Sequence, residues 1–194
     1  FVDPRSEGGK VNGITEEDMV EIVRFDDREY LSYKTLPINV AIIRGTTADS
    51  DGNITMERET LTLDMLSMAM AAKNSKGFVI AQVERIAEKG SLNPRLVKIP
   101  GIFVDCVVLA KPENHWQTFA QPYNPGYSHE IRLPMQSIEP MELNERKVIA
   151  RRAAFELSAN SVLNLGIGMP EGIASVAAEE KILDYITLTA EPGI

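Results

Sequence analysis

One glutamate in this chain is unusually well placed for chemistry. Glu191 stands in LTAEPGI, residues 188–194, and the YITLT stretch that leads into it has the alternating, β-branched residues of a half-buried strand. Pro192 and Gly193 follow at once. Proline ends ladder pairing and glycine permits an unusual turn, so the pattern predicts a carboxylate held at a strand's carboxyl end and pointed away from it. The competing reading is an ordinary solvated glutamate, the usual fate of a carboxylate. A second constellation lies upstream in NLGIGMPEG, where Gly166, Gly168 and Gly172 form G-x-G-x-x-x-G after the apolar SVLNL run. Asp184 follows eighteen positions after Gly166, near where the dinucleotide-binding pattern places its ribose-binding acid, although the third glycine is one position late. Two readings stay open: a turn that cradles a phosphate-bearing cofactor, and glycines that let a helix pack tightly.

Other chemistry finds less support. Asp49, Asp51 and Asn53 begin like a calcium loop, but Ile54 stands where glycine is needed and Thr60 where a bidentate glutamate is needed. The two histidines, His115 and His129, have no Cys or His partner at zinc spacing, so no metal site is expected. Neither a G-x-S-x-G elbow nor a Walker A pattern occurs. The single cysteine, Cys106, sits in the apolar run GIFVDCVVLA and reads as a small core residue, so no disulfide framework is expected. A formal net charge of -8 and pI near 4.9, without a basic block, argue against a nucleic-acid surface. No apolar stretch has bilayer-spanning length and no signal pattern opens the chain, so a cytoplasmic setting without a membrane partner is expected.

The elements that must position these residues follow from periodicity. The chain has 194 residues, 44% hydrophobic, enough for one α/β domain or one domain and part of another. The opening FVDPRSEGGKVNGIT is polar and punctuated by Gly and Pro, and Thr15 before Glu16, Glu17 and Asp18 predicts the cap of a short helix. EYLSYKTLP and INVAIIRGT predict two strands, and Asp51-Gly52 a turn. Leu61, Met65, Met68, Ala69 and Ala72 predict a helix whose methionines fill the core. GFVIAQVERI and GIFVDCVVLA supply two more strands, and this order argues for a largely parallel sheet. Pro112, Pro122, Pro125, Pro134 and Pro140, with Trp116, Tyr123 and Tyr127 among them, mark a packed connector. Beyond it, Asn144 predicts the cap of a helix with Ala150, Ala153, Ala154 and Leu157 on its apolar stripe and Arg146, Lys147, Arg151 and Arg152 on solvated faces. A βαβ unit then ends at Glu191. In open parallel sheets ligands bind beyond the strands' carboxyl ends, where both the glycine turn and Glu191 are expected.

Several stretches together resemble the family I coenzyme A transferases: VIAQVERIAEKGSLNPRLVKIPGIFVDCVV, ADSDGNI, ARRAAFELSANSVLNLGIGMPEGIA and the closing TAEPG. Their order, with FVDPRSEGGKVN and YKTLPINVAIIRGTTAD, is similar to that of the single-chain acetate or propionate CoA-transferases. The resemblance implies two similar open parallel-sheet α/β domains, present here only in part: residues 1–140 as the later part of the first, residues 141–194 as the start of the second. It implies that Glu191 is the catalytic nucleophile, with Gly166, Gly168 and Gly193 beside bound coenzyme A. Glu191 would attack an acyl-CoA, and the thiolate released would return to form a γ-glutamyl-CoA thioester that a short-chain carboxylic acid then reverses. Coenzyme A would thus be substrate and covalent intermediate, with no permanently bound cofactor and no metal. The family's glycine-rich CoA loop and later oxyanion segment are not visible, Phe1 is not a methionine, and the chain stops directly after a glycine, so the sequence reads as a fragment whose site needs the remainder of its chain. A homo-oligomer is expected. Three alternatives stand beside transfer: a Rossmann-type dinucleotide-binding protein, an acyl-CoA hydrolase using the same glutamate, and a non-catalytic piece that acts by assembly.

Overall fold

The computed structural model describes residues 3–10, 12–134 and 138–190. Its centre is a five-stranded sheet of order β6-β4-β3-β5-β7, built from β3 (Val40–Asp49), β4 (Ile54–Thr55), β5 (Phe78–Ala87), β6 (Val97–Ile99) and β7 (Cys106–Leu109). β3, β5 and β7 run parallel, with Ile43 opposite Ala81 and Gln82 opposite Val108. The short β4 and β6 add two antiparallel pairings, so the sheet is mixed. Their source is the Asp51-Gly52 turn, which folds the chain straight back along β3.

Helix α2 (Met65–Asn74) crosses from β3 to β5 and lays Ala69 and Ala72 on the sheet. Their small side chains let the helix come close to Ala41, Ala81 and Val79, all buried in one cluster with Ile43, Ile54, Val83 and Ile99. Each fully buried Ile or Val contributes about 1.5–3 kcal/mol by leaving water. The helix starts at Met65, so Leu61 precedes it. Met65 packs against the core, but Met68 and Met70 are exposed, which corrects the expectation that the methionines fill the core. The reason is that two alanines already occupy the stripe facing the sheet. Cys106 is half-buried rather than fully so.

The amino-terminal segment departs from the expected helix after Thr15. A one-turn helix α1 (Pro4–Glu7) is capped instead by Asp3, whose side chain accepts from Arg5 N, and Thr15 closes a turn by donating to Asn12 Oδ1. The residues after the acidic trio are β-branched at alternate positions and form β1 (Val20–Phe25), which pairs antiparallel with β2 (Arg28–Tyr33) across a turn at Asp26 with φ 52. Strand pairing outweighs the weak local capping signal here.

After the connector, α3 (Glu145–Ala154) is capped by Asn144 as its sequence predicts: Asn144 Oδ1 accepts from Lys147 N. α3 packs on α4 (Gly172–Glu179), and β8 (Val162–Leu165) pairs parallel with β9 (Thr187–Ala190). Lys147 is not on a solvated face. It is buried, with Nζ 2.8 Å from Glu179 Oε2 and donating to Met141 O at 2.7 Å, while Met141 N donates to Glu179 Oε1. The Lys147 ammonium holds the Glu179 carboxyl below its ordinary 4.5, so this contribution to stability is full above that pH and is lost as pH falls through the lowered value. Lys147→Ala strands a carboxylate and a carbonyl, whereas the Arg152–Glu156 pair is exposed on α3. Thermal melts at pH 7 should therefore show a clear loss of Tm for Lys147→Ala and almost none for Arg152→Ala.

Candidate active site

The second sheet brings two strand ends level. Leu165 of β8 is paired with Ala190 of β9, so the glycine turn leaves the sheet after Leu165 level with Ala190, the last described residue of β9. Glu191 and Gly193 follow Ala190 in the sequence and lie outside the described residues. Of the three glycines in the turn, Gly168 has φ +94, a conformation that L residues rarely adopt. Gly172 sits under α3, where an added Cβ would meet Ala150 Cβ at 3.2 Å and Met141 Cε at 3.3 Å. Gly166 has room for a side chain: its nearest neighbour would be Pro170 Cγ at 3.8 Å. Backbone geometry thus requires glycine at 168, helix packing favours it at 172, and neither demands it at 166.

Asp184 decides against the dinucleotide pattern. It lies in a one-turn 3-10 segment, Leu183–Tyr185, before β9, and Val162 at the start of β8 pairs with Thr187 at the start of β9. Asp184 is therefore at the amino ends of these strands and the glycine turn at their carboxyl ends, separated by a four-residue strand of about 13 Å. A ribose-binding acid must sit at the carboxyl end beside the turn.

The motifs of the first half interlock. Asp49 is buried, and its Oδ1 accepts from Asp51 N and Asn53 N while Oδ2 accepts from Asn53 Nδ2. Burial pushes its carboxyl up, but these bonds and one from the Gly90 backbone outweigh that and hold it below 3.8. Asn53 Oδ1 in turn accepts from Gly101 N, joining ADSDGNI to IPGIF. Asp105 of the same stretch accepts from Val79 N and Lys73 Nζ, closing the start of β5. The oxygens of Asp49 are thus spent on the turn, and among the described residues no group of three His, Cys, Asp or Glu is arranged to hold a metal.

A polar cavity of about 250 Å³ lies over the sheet's other face, lined by Arg44, Arg58, Glu59, Glu84, His115 and Tyr123 among others. Arg44 Nε is 2.8 Å from Glu59 Oε2, and its Nη1 donates to Trp116 O. Arg58 pairs with Glu84 and stacks 3.6 Å over the Tyr123 ring. Two guanidinium groups face two carboxylates, so the cavity is charge-balanced with His115 neutral. The sequence reading of the connector as packed through its aromatics agrees with this contact, but the cluster itself has no local signature. Its members come from β3, the segment after β4, β5 and the connector, and only the sheet register collects them.

Comparison with known proteins places these features in context. A model of the Coenzyme A transferase family matches residues 4–110. The chain is 50% identical over 194 residues to the caffeate CoA-transferase of Acetobacterium woodii, aligning over its full length with 37% of that protein. It is 42% identical over 193 residues to the acetate CoA-transferase YdiF of Escherichia coli K12, with 36% of that protein covered. The crystal structure of the acyl-CoA transferase YdiF apoenzyme from Escherichia coli O157:H7 superimposes with a TM-score of 0.79 at 43% identity, over 98% of this chain and 36% of the other. A thioester complex of the same enzyme with CoA gives 0.78. The chain spans little more than a third of the length of these relatives. Among the described residues no helix is long and apolar enough to cross a membrane. With the family model covering residues 4–110 of 194, and with the mixed sheet matching that of a solved CoA-transferase, the chain belongs to the coenzyme A transferase family.

Proposed function

We propose that the protein containing this chain moves coenzyme A from a short-chain acyl-CoA to a free carboxylic acid such as acetate, with Glu191 as covalent carrier. The observation that carries the reading is the level pairing of Leu165 with Ala190, which sets the start of the glycine turn beside the residue that Glu191 follows in the sequence. Similarity to YdiF, named an acetate CoA-transferase and solved as a thioester complex with CoA, supports the chemistry.

In this mechanism the Glu191 carboxylate attacks the thioester carbonyl, the C–S bond breaks, and a mixed anhydride and CoA thiolate form. The thiolate attacks the glutamyl carbonyl and releases the first acid, leaving a γ-glutamyl-CoA thioester. The acceptor acid runs the two steps in reverse. Each attack builds an oxyanion that backbone amides must stabilise, and Gly166, Gly168 and Gly193 would lie beside the bound coenzyme A. Water must be kept from the thioester, since hydrolysis is otherwise the outcome. The chain is read as the later part of one domain, residues 1–140, and the start of a second, residues 141–194. The remainder of the chain would complete the site and supply the contacts to the CoA nucleotide, within a homo-oligomer.

A specific observation favours a second reading of the acceptor. The relative at 50% identity is named for caffeate, so an aromatic acid is the other candidate. Initial rates of the full-length protein, with acyl-CoA varied at several fixed acetate or caffeate concentrations, should give parallel double-reciprocal lines with the better acid. Intersecting lines with both would refute the covalent carrier.

A further inference from the structure

We propose that residues 112–124 form a strap whose docking on the first sheet is switched by protonation of His115. Polar contacts tie the strap to the sheet and to the segment after β4, beside the stacking of Arg58 on the Tyr123 ring. Arg44 of β3 donates to Trp116 O, Gln117 Nε2 donates to Arg58 O, and Gln117 Oε1 accepts from Asn124 N. A further anchor is Gln82 of β5, whose amide nitrogen lies 3.0 Å from both Asn114 O and His115 Nδ1.

That last arrangement fixes the imidazole tautomer. Asn114 O can only accept, so the group of Gln82 facing it must be the NH₂, and its second hydrogen then points at His115 Nδ1. Nδ1 is therefore an acceptor, and the ring proton sits on Nε2. A second proton on Nδ1 would set N–H against N–H. Relief requires either loss of the Gln82–His115 bond or rotation of the amide, which puts its oxygen against Asn114 O. Either way the strap loses an anchor.

The charged groups facing the ring come from every element around it: Arg44 from β3, Arg58 and Glu59 from the segment after β4, and Glu84 from β5. Glu59 Oε1 is 3.5 Å from Nε2 and is already engaged by Arg44, and Glu84 is engaged by Arg58. Each carboxylate is thus shared with a guanidinium, which limits how far it can compensate a new charge. The His115 side chain is only 4% exposed, and burial followed by the Arg44 guanidinium pushes it below its ordinary 6.5, against the smaller upward pull of Glu59 and Glu84. An undocked strap would expose the ring and restore that ordinary value. Docking is then strongest above pH 6.5 and weakens as pH falls below it, by up to about tenfold per pH unit until the docked value is reached.

Hydrogen exchange of the full-length protein tests this, because Gln117 N donates to Pro122 O and Asn124 N to the Gln117 side chain only when the strap is ordered. After correction for intrinsic exchange rates, protection of peptides within 112–124 should fall between pH 7.5 and 5.5, by at most about tenfold, while peptides from β5 keep theirs. His115→Gln should abolish the pH dependence. Gln82→Glu, which gives Nδ1–H an acceptor, should move the midpoint upward and keeps the test open should His115→Gln not fold. Unchanged protection across the range, the same loss in His115→Gln, or an unmoved midpoint in Gln82→Glu would overturn the proposal.

Discussion

Full-length protein incubated with acyl-CoA and no acceptor acid should gain one CoA, joined as a thioester to Glu191. The expectation follows from the sheet register and the sequence: Ala190 pairs with Leu165, after which the glycine turn begins, and Glu191 is the residue that follows Ala190 in the chain. A carboxylate held at a strand end would meet a thioester carbonyl with little reorganisation. Borohydride should reduce the adduct to an alcohol at residue 191, and peptide mass spectrometry should locate it there. Glu191→Gln keeps the shape of the side chain but is a far poorer nucleophile, so the variant should fold normally and lose transfer by roughly a thousandfold or more. Slow deamidation would restore the acid, which is why the intact amide must be verified by mass in the same sample. An adduct on Glu179 or Glu180, or full activity with the amide intact, would remove Glu191 from the mechanism. Glu179 is a poor competitor on structural grounds, since both its oxygens are engaged by Lys147 and Met141 N.

A large loss of stability should come from Gly101→Ala. An added Cβ there would lie far inside van der Waals contact with the carbonyl oxygen of Asp51, and 3.0 Å from Asp51 C and Gly52 C. Every one of these atoms is backbone, so no side-chain rotation relieves the clash. The Asp51-Gly52 turn would have to move, and with it the bond from Gly101 N to Asn53 Oδ1 that ties the turn to the segment after β6. A cost of about 3 kcal/mol or more is expected. By contrast, Gly166→Ala meets only Pro170 Cγ at an ordinary 3.8 Å and should leave the melting temperature nearly unchanged. Gly168→Ala falls between them, strained by its φ of +94 but with open space around it. Denaturant unfolding of the three variants should give this order. A Gly101→Ala protein as stable as the parent would mean that the two motifs do not touch as described.

Local chemistry left a clear record in the sequence wherever one element's own residues decide its conformation. The apolar runs of β3 and β5, the Asp51-Gly52 turn, the Asn144 cap, and the strand, glycine turn, helix, strand order of residues 161–190 were all legible, because burial on a sheet, a tight turn and a helix start each need particular residue types at fixed spacing. The family resemblance was legible for the same reason, since its motifs are compact words. Position in space is a different matter. The helix expected after Thr15 gives way to β1 because pairing with β2 is a non-local gain that a capping signal cannot foresee. Lys147 reads as a surface charge until α4 supplies Glu179 beside it. Asp184 has the spacing of a ribose-binding acid and the wrong strand end, a difference that only the parallel register of β8 and β9 reveals. His115 and Glu59 are far apart along the chain and adjacent in the fold, where the sheet offsets bring Arg44, Gln82 and Glu84 around them. Spacing along a chain dictates which elements form, while the pairing of elements dictates which polar groups are taken from water together. Buried charge is stable only when that second condition is met.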